Sequence, residues 1–358
     1  MTLPRVVAPE ALDELPPGDP AARRSRRDLR RIHLVMGTRG LLLRALRADP
    51  GRGRGAAPLR ILELGAGDGT LLLGVARALG PAGLGPVSLT LLDRQAVVEP
   101  ATLSAFGRAG WQAQVCVADV LSWAAPPRAA DTAVPDARGL DAAVSDAGAT
   151  DAGAIDLDAI DAAPYDLIVA NLFLHHFEGE ALDRLLAAVA ARGRRFIACE
   201  PRRSRLALGA SHLVGLLGAN AVTRQDAVLS VHAGFRAGEL SARWPTAGSD
   251  ACGRSPADDR HDGSRRGVAG GWALCEKPAG LFSHWFEAVR SRAEEGRRAD
   301  GGAAASSGDT AQAVGHGRSS GAGREPVGAA RGPAADFGRE PALDAQGSAG
   351  TAPAPGRR

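Results

Sequence analysis

Apolar and polar positions alternate in two different ways along this chain, and the change of period marks its elements. Between residues 23 and 46 apolar residues recur at helical spacing, from Ile32-His33-Leu34-Val35-Met36 to the run Leu41 to Leu46. This predicts one or two helices, broken near Gly37 and Gly40. From Leu59 onward, short apolar runs alternate with amphipathic stretches. The predicted strands are Leu59–Leu64, Val87–Leu92, Gln112–Val117, Tyr165–Asn171 and Arg195–Glu200. Helices are predicted to begin near Gly69, Val97 and Gly179. Strands alternating with helices imply right-handed βαβ units and a doubly wound, mostly parallel α/β sheet. Beyond it, Leu206 to Leu217 reads as one apolar helix and Val222 to Val231 as another. Trp272 to Glu276 and Leu281 to Val289 flank the turn signal Lys277-Pro278-Ala279-Gly280, so an antiparallel hairpin is expected to close the sheet.

Composition reduces the number of expected domains. The 358 residues include 46 Gly and 23 Pro but only 8 Phe, 5 Trp and 1 Tyr. Much of the Ala, Gly, Pro and Ser lies in stretches without apolar periodicity. Residues 1–20 are Pro-rich and expected to be disordered. Residues of about 125–163 and 246–270 read as low-complexity insertions, and 291–358 as a disordered tail. One domain over 21–290 remains. In the first insertion Asp131, Asp136, Asp141, Asp146, Asp151, Asp156 and Asp161 recur every five residues. Five residues advance a helix by about 140°, so these acids share no face, and they match no calcium-loop pattern.

The charge balance, 43 basic against 40 acidic residues, names no partner. Lys277 is the sole lysine. The run Arg23-Arg24-Ser25-Arg26-Arg27-Asp28-Leu29-Arg30-Arg31 can touch phosphates or a membrane, but a solvated helix face is the favoured reading. Four cysteines without a CxxC pair make no disulfide framework. No apolar signal core opens the chain. The longest uncharged run, Leu206 to Thr223, is too rich in Gly and Ala for a membrane span. A cytoplasmic protein is expected.

The chemistry begins at Ile61-Leu62-Glu63-Leu64-Gly65-Ala66-Gly67-Asp68-Gly69-Thr70. A strand runs into three alternating glycines and then a helix, whose N-terminal N–H groups favour an anionic or polar ligand. The dinucleotide fingerprint is not met, because position 70 is Thr where that fingerprint has its third glycine. The pattern Glu63, Gly65, Gly67, Gly69 instead resembles the first motif of class I S-adenosylmethionine (SAM)-dependent methyltransferases. The resemblance continues through Leu89-Thr90-Leu91-Leu92-Asp93, Val117-Ala118-Asp119-Val120 and Tyr165-Asp166-Leu167-Ile168-Val169-Ala170-Asn171. It covers the core of about 200 residues, and four motifs in the family's order make it specific.

That resemblance implies a Rossmann-like fold, SAM as cofactor and a binding set of Glu63, Gly65, Ala66, Gly67, Gly69, Asp93, Asp119, Val120 and Asn171. Asp93 would hold the ribose hydroxyls, Asp119 and Val120 the adenine, and Glu63 would lie near the methionine ammonium. Asn171 would lie close to the transferred methyl. Each position also has a plain alternative: Asp93 can cap a turn, and Asp119 can cap the next helix.

Past Asn171 come Leu172-Phe173-Leu174-His175-His176-Phe177-Glu178, at the carboxyl end of a central strand where open α/β sheets bind ligands. A histidine there can take a proton from a hydroxyl as it is methylated. His175, His176 and Asn171 are therefore the catalytic candidates, with His176 preferred over His175, and a packed loop histidine remains an equal reading. No metal is expected, because no further ligand at suitable spacing accompanies the pair. Arg202 or Arg203 can grip an anionic group or form a solvated surface pair. The segments Asp28 to His33, Asn171 to Phe177, Cys199 to Arg203 and Ala221 to Val228 resemble a narrower group, bacterial small-molecule methyltransferases found beside type III polyketide synthases. This implies a phenolic, polyketide or quinone-like acceptor. The competing readings are a nucleic-acid methyltransferase, for which Leu172-Phe173 stands in place of a Pro-Pro-aromatic signature, and a SAM-binding module without turnover. A nicotinamide oxidoreductase is disfavoured by the missing third glycine.

Overall fold

The computed structural model describes residues 3–48, 57–81, 83–125, 160, 164–245 and 265–291. The expected tail beyond 291, and most of both expected insertions, lie outside the described residues. Helices α1 (Ala11–Glu14), α2 (Pro20–Met36) and α3 (Thr38–Arg47) precede the sheet. Asp19 caps α2 by accepting from Ala21 N and Ala22 N, and Pro20 stands at its first turn. Gly37 separates α2 from α3 with φ at 69°, a left-handed value that glycine adopts without penalty. Gly40, the other expected break, lies inside α3.

The core follows the predicted order: β1 (Leu59–Leu64), α4 (Thr70–Leu79), β2 (Val87–Asp93), α5 (Pro100–Arg108), β3 (Trp111–Val117), α6 (Val120–Trp123), β4 (Leu167–Asn171), α7 (Gly179–Arg192) and β5 (Arg195–Pro201). Helices α8 (Arg205–His212), α9 (Ala221–Ala233) and α10 (Glu239–Arg243) lead to β6 (Arg265–Ala269), β7 (Trp272–Ala279) and β8 (Ser283–Arg290). The strands form one sheet in the order β3-β2-β1-β4-β5-β8-β7-β6. The first five are parallel, and the last three run antiparallel. The strand order reverses between β1 and β4, and open α/β sheets bind ligands at that crevice.

Both faces of the sheet are buried, which is why its strands read as near-continuous apolar runs. Leu62, Leu64, Ile168, Ala170, Phe196 and Ala198 pack beneath α7. Ile61, Leu89, Leu91, Leu167, Val169 and Ile197 face α3, α4 and α5. The alternation along each strand sends neighbouring side chains to opposite layers.

Three expectations are corrected. Residues 3–19 are not disordered: they form a strap across the carboxyl ends of the strands. Arg5 Nε donates to Ala233 O at 2.8 Å and stacks over Phe235. The first N–H groups of α1, from Ala11 and Leu12, donate to the carboxylate of Asp226 on α9. The second expected insertion ends earlier than residue 270, because Arg265–Ala269 pairs with β7 and turns the expected hairpin into a three-stranded meander. The expected helix Leu206–Leu217 breaks at Leu213, where α8 gives way to a 3-10 turn over Val214–Leu217.

Gly69 makes the turn into α4 at φ 70°, and a Cβ there would stand 3.2 Å from Leu91 Cδ1. Gly69→Ala therefore combines backbone strain with a core contact. We expect a loss of about 1–2 kcal/mol, read as a lower denaturant midpoint. An unchanged midpoint would show that this turn is not under the constraint described.

Candidate functional site

The floor of the site is the loop from β1 to α4. Gly65, Gly67 and Gly69 all have positive φ, so the loop needs glycine at each alternate position. The ring of Phe173 covers Gly65 so closely that a Cβ would fall 2.1 Å from its Cδ2. At Gly67 nothing lies within 4 Å of a notional Cβ, and this residue lines a cavity of about 500 Å³. Glu63, Gly65, Ala66, Gly67, Asp93, Asp119, Val120, Asn171, His175 and His176 all line that one cavity. Of the predicted set only Gly69 does not, as it shapes the loop from behind.

Two acceptor oxygens in the wall have no partner among the described residues. Glu63 is buried at the end of β1 and its Oε2 is unpaired. Burial, then the charges of Asp68 and Asp93, push its pKa well above the ordinary carboxylate range. Asn171 is buried at the end of β4 and its Oδ1 is likewise unpaired. A buried acceptor without a donor costs about 1–3 kcal/mol, so both oxygens are set to receive donors from a ligand.

The other acids are engaged. Asp93 accepts from Gly67 N at 2.8 Å and Gln95 N at 2.9 Å, one bond to each oxygen. This ties the end of β2 to the glycine loop and leaves a second lone pair on each oxygen. Burial raises its pKa against the lowering effect of those two bonds. Asp119 caps α6 by accepting from Leu121 N at 2.6 Å, and its exposed side chain stands at the cavity rim. Asp68 pairs with Arg30 of α2 at 2.7 Å.

The mouth is built around Glu200. Its carboxylate, fully buried at the end of β5, accepts from Phe173 N at 3.1 Å, Leu174 N at 2.9 Å and His175 N at 3.4 Å. These bonds wind the 3-10 turn Leu174–His176. They also hold Leu172 at φ 49°, the only left-handed non-glycine among the described residues.

His175 and His176 have opposite fates. His175 is buried between two carboxylates, donating from Nδ1 to Glu200 at 2.9 Å and from Nε2 to Glu10 at 3.2 Å. Burial opposes its charge, but bonds to Glu10 and Glu200 outweigh burial and raise its pKa to about 9. With both ring nitrogens donating to carboxylates, His175 has no free lone pair to accept a proton at neutral pH, so the expectation of His175 as a base is corrected: it clamps the strap to the mouth. His176 is half-buried, with Nδ1 3.4 Å from Asp13 Oδ2. Burial, then the neighbouring charge of His175, lower its pKa, so it is neutral at neutral pH. Glu10, His175 and His176 do place one ligand atom each within 4.8 Å, but both ring nitrogens of His175 are already bound to carboxylates.

Sequence reasoning missed four participants. Glu10 and Asp13 come from the strap, whose contacts here span more than 160 residues. His33 reaches the cavity from α2, where its Nε2 accepts from Asn171 Nδ2 at 3.2 Å. Burial lowers its pKa to about 4, so it stays neutral and orients the Asn171 amide. Ser230 donates to Glu10 from α9 at 2.5 Å. Only His33 had a signal, its place in an apolar helix facing the sheet. Arg203 is neither a free grip nor a solvated pair: it is buried, paired with Glu239 and donating to Gly234 O and Leu3 O. Arg202 lies outside the cavity and donates to Gly280 O.

A second chamber of about 370 Å³ adjoins the first and shares Glu10, Leu12, Leu29, Leu172 and Ser230 with it. Its other walls are mostly apolar, among them Ile32, Met36, Ala207 and Leu213.

No protein-family model matches the chain, and no curated protein matches it. Among solved structures it is similar to a plantazolicin methyltransferase in complex with S-adenosylhomocysteine (SAH). That match has 12% identity over 77% of this chain and 92% of the other, with a TM-score of 0.44. An O-methyltransferase family protein from Burkholderia thailandensis matches at 12% identity, over 77% of this chain and 61% of its own, with a TM-score of 0.41. A magnesium protoporphyrin IX methyltransferase from Synechocystis PCC 6803 with bound SAM matches at 14% identity, over 75% and 84%, with a TM-score of 0.35.

The His175 clamp predicts a pH dependence. Its pKa is raised from 6.5 to about 9 on folding. The stability it contributes, roughly 3 kcal/mol, is therefore complete below pH 6.5 and lost as pH rises towards 9. The thermal midpoint should fall across that window, and His175→Gln should lower the midpoint at pH 6.5 and flatten the fall. A pH-independent midpoint in the unsubstituted chain would contradict the clamp.

Proposed function

We propose that this protein is a SAM-dependent methyltransferase that methylates a hydroxyl on a small apolar acceptor of phenolic, polyketide or quinone-like character. The observation that carries the proposal is the pair of unpartnered acceptors, Glu63 Oε2 and Asn171 Oδ1, in the wall of one cavity over a glycine loop. Glu63 meets the need of a cationic α-ammonium, which would relieve the cost of its buried charge. The free lone pairs of Asp93 suit a vicinal diol, and Asp119 at the rim suits an amino-substituted base beside Val120. The open space over Gly67 lets a ligand approach the backbone. A volume of about 500 Å³ accommodates a nucleoside with an amino-acid arm.

SAM supplies, when bound, an electrophilic methyl on a sulfonium. The remaining work falls to the chain. The apolar chamber holds the acceptor, and Leu172 and Glu10 mark its junction with the cofactor cavity. The strap covers that junction and excludes water, so orientation and desolvation provide most of the acceleration. His176, neutral and half-buried in the same cavity, takes the hydroxyl proton as the oxygen gains its methyl. Asp13 beside it favours the imidazolium that results. The sulfonium charge is cancelled on transfer, so no oxyanion hole is required.

The test is mass-detected methyl transfer from SAM to a panel of alkyl-substituted phenols. His176→Ala should lower kcat by about 10²–10⁴-fold on a weakly acidic phenol, and much less on a phenol already ionised at the assay pH. The acid limb of kcat should lie below the ordinary histidine range, in the direction of the lowered His176 pKa. Equal losses on both phenols would remove His176 from the proton path. A chain that binds cofactor but turns over no acceptor would be a binding module.

A further inference from the structure

We propose that the apolar chamber opens onto an anionic lipid bilayer, through a docking face made by α8, the 3-10 turn after it and the C-terminal end of α2. Six of the ten exposed large apolar side chains among the described residues lie on these segments: Leu34, Val35, Leu206, Leu213, Leu216 and Leu217. Leu216 is 83% exposed and Leu34 is 81% exposed. Four of the six, Val35, Leu213, Leu216 and Leu217, also line the chamber, so they form its rim. A soluble surface seldom gathers large apolar side chains around a pocket mouth without an apolar partner.

The charge around this face selects the partner. Residues 29–47 and 201–225 contain no Asp or Glu at all. Arg27, Arg31 and Leu34 follow one another at helical spacing along the exposed side of α2. The guanidinium of Arg31 comes within 3.9 Å of the Cβ position of Gly218, which ends the 3-10 turn. Arg224 packs its stem on Gly215 within that turn, and Arg205 precedes Leu206 on α8. Asp28, which pairs with Arg31 at 3.1 Å, is buried, so the exposed charge among these leucines is arginine, and the two together match the acyl boundary and the anionic headgroups of a membrane surface. No helix among the described residues is long and apolar enough to cross a membrane, so the contact is peripheral. On the reading of the chamber given above, a lipophilic acceptor would enter from the bilayer without crossing water. The docking itself does not depend on that reading.

The test is sedimentation of the full chain with vesicles of phosphatidylcholine, with and without phosphatidylglycerol. Binding is expected to the phosphatidylglycerol vesicles and to weaken as salt rises. Leu34→Glu with Leu206→Glu should weaken it roughly tenfold, and Arg27→Glu with Arg205→Glu should remove the preference for anionic lipid. Thermal midpoint and SAH affinity, measured on the same variants, should stay at the parent values if the face is external to the fold. A folded chain that stays in the supernatant with every vesicle would overturn the proposal. So would unchanged sedimentation of the leucine variant, which would place lipid binding elsewhere, or a dimer that the leucine variant converts to monomer, which would make the face a self-interface. Lost SAH affinity in the parent chain, with vesicle binding intact, would count against the methyltransferase reading and not against docking.

Discussion

One buried carboxylate organises the mouth of this protein. Glu200 stands at the end of β5 with no exposure, and it is saturated by three consecutive N–H groups and an imidazolium. An isolated charge in that position would be costly. Four donors make it tolerable, and the donors are thereby fixed in space. The loop after β4 is wound into a 3-10 turn, Leu172 is held in a left-handed conformation, and Phe173 is laid over Gly65. Through His175 the same carboxylate reaches Glu10 and so fastens residues 3–19 over the cavity.

The site then works by contrast between acids that are satisfied and acceptors that are not. Glu200 and Asp93 spend their lone pairs on backbone N–H groups and hold the loops in position. Glu63 and Asn171, one strand away from each other in the β1–β4 crevice, keep an oxygen unpaired. The two adjacent histidines repeat the contrast: the one between two carboxylates is a cation at neutral pH, and its charge helps keep the other neutral. Proximity alone would assign both to catalysis; their surroundings make His175 a clamp and leave only His176, the base proposed above, able to accept a proton.

Much of this was legible in the sequence because it is local. The apolar runs of β1 to β5, two of the three helix starts and the glycine loop all express short-range rules, and the structure places them where the pattern does; α5 begins at Pro100, later than Val97. Ten of the eleven distinct site residues named from sequence, all but Gly69, line one cavity. What escaped depends on distant pairing. Arg5, Glu10 and Asp13 sit in a Pro-rich segment without periodicity, and only contacts across the whole fold give them order. Arg265–Ala269 carries Arg, Gly and Ala, and reads as a strand only because β7 supplies its hydrogen bonds. Arg203 looked like half of an exposed pair because nothing in its neighbourhood announces Glu239, 36 residues away.

The central claim is that the cavity over the glycine loop is shaped for SAM. Calorimetric titration of the full chain with SAH, with NAD as comparator, tests it most directly. The account predicts a Kd on the order of micromolar for SAH, no heat with NAD, and a clear weakening in Asp93→Ala. A folded chain that binds neither ligand, or binds NAD in preference, would contradict it.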